Sequence, residues 1–152
     1  MDVKRYFEQI VDPTIKDFEA NPTSVRHAFS AAVAVFHSVD YLAPTKSSGL
    51  RSKFRKKCAD FATVDRIAHA FKHVKTGHPD SIDLQPLSAD GIITRPPMYY
   101  DVSGAYGLSR WGDAIGGVTI DVDRQQDVLL AVKRAAEFIR LQFRETSANR
   151  VD

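Results

Sequence analysis

The sequence has little with which to cross-link or anchor itself. Cys58 is the one cysteine among 152 residues, which excludes an intrachain disulfide and a cysteine-built metal cage. A lone thiol suits a reducing compartment. Long apolar runs are missing too. The longest, around Ala28 to Phe36, falls far short of the roughly 18–20 residues that span a bilayer. Met1 to Tyr6 carry no apolar segment of the kind a secretory signal needs. The expectation is a cytoplasmic chain with no membrane partner. An excess of one charge is also absent: 21 Lys and Arg against 19 Asp and Glu leave a net charge of +2, too small to argue by itself for nucleic acid.

What is present is enough for one domain spanning residues 1–152, with 43% hydrophobic and 26% charged residues, an ordinary globular balance. Apolar residues recur at helical spacing from Val3 to Phe18, with Pro13 predicting a kink or break near Asp12. Asn21 and Pro22 read as the cap and first position of a second helix. Its stripe is Val25, Ala28, Phe29, Ala32, Val35, Phe36, Val39 and Leu42, and Pro44 stops it. Thr45 to Gly49 reads as a polar loop. A third helix is predicted over about Leu50 to Lys75, with Asp60 marking a break if it is two shorter ones. Gly77 and Pro79 end it.

From about residue 80 to 123 the pattern turns β-rich, punctuated by proline and glycine. Val118 to Val122 alternates and is the clearest strand. Ile92 to Val102 is a second candidate, which Pro96 and Pro97 confine to an edge or split. Asp121 or Asp123 is the expected cap of a last helix over roughly Arg124 to Glu145. The fold class is therefore α+β, mainly α: four main helices in a bundle with a small antiparallel β element inserted before the last. Stripes of small and apolar residues make a homodimer the expected assembly.

Chemistry concentrates on the third helix. Arg66, His69 and His73 follow one another at helical-neighbour spacing, opposite the stripe through Val64, Ile67, Phe71 and Val74. Lys72 lies beside them, and the second helix adds His37 and Asp40 three residues apart. The plain reading is a solvated basic face. The nucleolytic reading uses histidine as general acid or base near neutrality and Arg66 to stabilise phosphorane-like charge, without a metal. Arg66, His69 and His73 are then the candidate catalytic residues, and His37, Asp40 and Lys72 candidate substrate contacts. A third reading pairs His69 and His73, four apart, as ligands of a metal-dependent hydrolase. No metalloprotease glutamate follows His69, so no metal or other cofactor is expected.

An arginine followed on the same late helix by a histidine, here Arg66 and His73, resembles the HEPN superfamily of helical bundles. The resemblance implies a metal-independent ribonuclease, RNA as partner and a site at a dimer interface. It covers the helical part of the chain. Ile67 follows Arg66 where that superfamily commonly has a polar residue, and the β-rich excursion is no part of its minimal bundle.

Arg51, Lys53, Arg55, Lys56 and Lys57 form a basic run that reads first as a solubilising face. Tyr99, Tyr100, Tyr106 and Trp111 are candidate base-stacking aromatics. Ahead of any structure the expected role is action through self-association or partner binding, with the ribonuclease and the metal-dependent hydrolase as alternatives. The residues alone do not decide whether the chain is an enzyme.

Overall fold

A computed structural model describes residues 1–73, 87–97, 115–120 and 126–148. The N-terminal segment is helical throughout: α1 (Val3–Tyr6), a π-helical stretch (Phe7–Val11) and α2 (Asp12–Ala20). Where a kink or break was expected near Asp12, the chain stays helical and widens into the π turn just before α2 begins. Pro13 sits in the first turn of α2, and the wider π turn before it accommodates a residue that cannot donate to the ladder.

After α2, Ser24 rather than Asn21 caps the next helix, its hydroxyl accepting from the His27 N–H at 3.4 Å. Helix α3 (Val25–Leu42) then runs to Ala43. Its predicted stripe is buried at Ala28, Ala32, Val35, Phe36 and Val39, whereas Phe29 stays exposed.

The predicted third helix is two. Helix α4 (Ser47–Lys57) takes up Ser47 to Gly49, which therefore form a helical turn instead of a loop. The chain extends at Cys58 and continues as α5 (Ala59–His73). The Phe61 N–H donates to Cys58 Sγ at 3.4 Å, so the thiol, half-buried, caps the new helix. Four main helices were expected; the π turn and the Cys58 break make the helical part more segmented than that.

A 3-10 turn (Ala89–Gly91) leads into β1 (Ile92–Arg95), which pairs antiparallel with β2 (Gly117–Ile120), Ile92 opposite Ile120. β2 pairs antiparallel with β3 (Gln126–Asp127) on its other side. β2 is buried along its whole length, as a central strand packed on both faces is. Gly116 makes the entry into β2. Its φ is +75°, and a Cβ there would lie 2.5 Å from the Arg95 carbonyl oxygen, so only glycine fits.

Helix α6 (Val128–Ala148) follows β3 directly. Asp127 caps it, its Oδ1 accepting from the Leu130 N–H at 2.9 Å. The last helix thus starts later than Arg124, because Gln126 and Asp127 belong to the sheet. Asp121 and Asp123, the expected caps, lie outside the described residues, as do Val74, Gly77, His78, Pro79, Met98 to Val102 and the candidate stacking aromatics. The fold is mainly helical with a small antiparallel sheet. Its core joins Phe18 of α2, Val35 of α3, Phe54 of α4, Phe61 and Ile67 of α5, Ile120 of β2 and Ile139 of α6. No helix among the described residues is long and apolar enough to cross a membrane.

Candidate functional site: two carboxylate–imidazole pairs held by one helix

Helix α4 carries Arg51 and Arg55, four residues apart and so on one face. Each reaches a carboxylate on a different helix. The Arg51 guanidinium donates to Oδ1 of Asp40 on α3, and Arg55 Nη1 donates to Oδ2 of Asp65 on α5 at 2.7 Å. Each carboxylate in turn has a histidine on its own helix. His37 Nδ1 lies 2.9 Å from Asp40 Oδ2. His69 Nδ1 lies 2.8 Å from the Asp65 carbonyl oxygen and 3.2 Å from its Oδ1.

The two units have the same composition but different surroundings. Desolvation pulls the Asp40 carboxyl up, but hydrogen bonds from His37 and Ser47 and the charge of Arg51 outweigh it, leaving Asp40 below its ordinary value. Asp40 is therefore a carboxylate at neutral pH and can only accept, so His37 Nδ1 carries the hydrogen and Nε2 is its free nitrogen. Asp65 is buried, with its side chain 4% exposed. Its Oδ2 is satisfied by Arg55, while Oδ1 makes no hydrogen bond among the described residues and faces the His69 ring. The 3.2 Å approach of His69 Nδ1 to that oxygen lies beside its hydrogen bond to the backbone carbonyl and is ionic only when the ring is protonated. His69 too is left with Nε2 free.

Phe36 of α3 joins the units. Its ring lies edge-on to both imidazoles, with centroids 5.0 Å from His37 and 5.0 Å from His69. The Arg51 guanidinium sits over the same ring at 4.4 Å, a cation–π contact. The two imidazoles are partly exposed, His37 at 50% and His69 at 41%. Beside His37 lies a cleft of about 520 Å³, lined by Met1, Tyr6, His37, Asp40, Tyr41 and Pro44. Tyr6 and Tyr41 stack in it at 4.0 Å. Burial, with the nearby Tyr41 and Asp40, pushes the Tyr6 hydroxyl up to about 12, so it is a neutral phenol at any ordinary pH.

The expected site residues separate into distinct environments. Arg66 is half-buried. Its Nε and Nη2 are shielded from solvent without a hydrogen-bond partner among the described residues, and that burial lowers the guanidinium from its ordinary value. His73 ends α5, exposed, its ring stacked on His69 at 6.1 Å. Lys72 beside it is also exposed. The face does not simply point away from the core: Asp65 and Thr63 of the same helix are buried, because α5 packs against α3, α4 and α6. His37 and Asp40 meet this face through Phe36 and not through His73.

Three further residues of the site, Asp65, Arg51 and Arg55, carry a signal in their spacing: Asp65 stands four before His69 on α5, and Arg51 and Arg55 are four apart on α4. The basic run divides accordingly: its arginines turn to carboxylates, and Lys53, Lys56 and Lys57 are exposed. Among the described residues no group of three or more His, Cys, Asp or Glu is arranged to hold a metal ion. Compared with known proteins, the chain matches no family model, no curated protein and no solved structure.

Proposed function

We propose that the chain binds RNA at the α5 face and cleaves it without a metal, with His69 as an acid–base group and Arg66 as the anion-binding residue. The observation that carries this reading is the pairing of an oriented imidazole with an unsatisfied cation. Asp65 and its carbonyl hold His69 by Nδ1, which leaves Nε2 for proton transfer. Three residues before it, Arg66 is half-buried, with Nε and Nη2 shielded and unpaired among the described residues, and Nη1 is the part of its fork that a phosphate oxygen would engage. Lys72 and His73 flank this pair as further substrate contacts. The HEPN resemblance implies the same chemistry with His73 as the histidine. His69 fits that role better here, since among the described residues it is the one of the two anchored through Nδ1. The cytoplasm is the compartment we propose, in keeping with the one free thiol.

Single-stranded RNA incubated with the purified protein in excess chelator should yield fragments ending in a 2′,3′-cyclic phosphate. His69→Ala should lower the rate on the order of 10²–10⁴-fold, and a DNA of the same sequence should stay intact. Absence of cleavage by the unaltered protein, or full activity in His69→Ala, overturns the reading.

Action through self-association is the second reading, and α6 favours it. Leu130 and Leu141 are 46% and 47% exposed and, eleven residues apart, fall on one face of the helix. A second copy of the chain would cover them. Sedimentation equilibrium should then give a dimer that Leu141→Glu dissociates; a monomer at all concentrations rejects it.

A further inference from the structure

The Asp40–His37 pair is unused by the reading above, yet it repeats the Asp65–His69 pair. The same helix α4 supplies the arginine of each. Both imidazoles are engaged at Nδ1 and free at Nε2. Both centroids lie 5.0 Å from the Phe36 ring, so the two imidazoles are no more than twice that distance apart. A cleft opens beside His37. A solvated surface histidine has no need of an ionic partner that is itself fixed by an arginine and a serine; an imidazole that must present one nitrogen in one direction does.

We infer that His37 is the second acid–base group of the same site, so that one RNA phosphodiester is held between two oriented imidazoles. The inference rests on the ribonuclease reading and deepens it. Strand cleavage moves two protons. His37 Nε2 takes the proton of the 2′-hydroxyl as that oxygen attacks phosphorus. The bond from phosphorus to the 5′-oxygen breaks, and the departing oxygen takes a proton from His69 Nε2. The products are a 2′,3′-cyclic phosphate and a free 5′-hydroxyl, and proton exchange with water restores both rings. His69 takes the donor's part and His37 the acceptor's, an assignment that the sulfur-bridged substrate below reads directly. Asp40 and Asp65 are positioning residues.

The test replaces the 5′-bridging oxygen of the RNA by sulfur, since a thiolate leaves without a proton. On ordinary RNA, His37→Ala and His69→Ala should each lose on the order of 10²–10⁴-fold. On the sulfur-bridged substrate His69→Ala should recover to within about tenfold of the unaltered protein, and His37→Ala should not recover. His37 is half-exposed, so His37→Ala should keep the parent's unfolding midpoint, and His37→Gln serves where it does not. If the unaltered protein cleaves and His37→Ala matches it, the inference fails and the ribonuclease reading stands. Recovery of His37→Ala on the sulfur substrate also overturns it. If the unaltered protein cleaves neither substrate, both fall together.

Discussion

Arg55→Ala should destabilise the protein by about 3–4 kcal/mol, more than Asp65→Ala at about 1–2 kcal/mol, although the two substitutions break the same ion pair. The asymmetry follows from where the partners sit. Asp65 has a side chain only 4% exposed, whereas that of Arg55 is 32% exposed. Without Asp65, the guanidinium keeps its access to water and rehydrates. Without Arg55, a carboxylate is left deep between α4 and α5, with one oxygen that already lacks a hydrogen bond among the described residues. Burying such a charge with only the His69 ring, 3.2 Å from its Oδ1, beside it costs more than the pair contributes. The double substitution should therefore be more stable than Arg55→Ala alone and close to Asp65→Ala. Urea unfolding of the four proteins reads this directly. Equal losses for the two single variants, or a loss below about 1 kcal/mol for Arg55→Ala, would show that Asp65 is solvated after all. Asp65→Ala removes the carboxylate facing His69 but keeps the backbone carbonyl that holds its Nδ1, so any fall in the RNA cleavage proposed above should be smaller than that of His69→Ala.

A second large effect is expected at the centre of the helical core. Phe61 is fully buried and meets Phe54 edge-on at 5.7 Å, and Phe54 meets Phe138 at 5.0 Å. These three rings tie α5, α4 and α6 together just after the Cys58 break. Phe61→Ala should cost about 3–5 kcal/mol, combining lost burial with a cavity that helices on several sides prevent from collapsing. Phe61→Leu should cost less, about 1–2 kcal/mol, because most of the volume is kept. Phe29 is the control. It makes a similar edge contact, with Phe71 at 5.0 Å, but at 38% exposure; Phe29→Ala should stay near 1 kcal/mol or below. Similar losses at Phe61 and Phe29 in thermal or urea unfolding would mean that α4 does not pack as described.

Much of the helical framework was legible because helical periodicity is a local property. Ala28, Ala32, Val35 and Val39 announce the buried side of α3, and Val128, Val132, Ala135, Ala136 and Ile139 that of α6, since burial of one stripe is what makes each helix stable. The boundaries were less legible. Pro13 is as compatible with a π turn as with a break, and the difference depends on what the flanking turns pack against. Phe54 and Phe61 continue one stripe across Cys58, so periodicity gives no sign that the helix stops there. Gln126 and Asp127 read as the first turn of a helix until β2 pairs with them.

The site divides the same way. The sequence by itself determined that Arg66, His69 and His73 share a face of one helix and that His37 and Asp40 share a face of another, because i, i+3 and i, i+4 neighbours are set by helix geometry alone. It also determined a cysteine-poor chain with a mainly helical fold. Only the tertiary structure decided that Asp65 is buried under His69, that Arg51 and Arg55 leave the basic run to bind two carboxylates, and that Phe36 brings the two imidazoles together. The physical reason is that an ion pair between helices, and the burial of a charge, depend on how far apart and at what angle those helices pack. No spacing along a single helix contains that information.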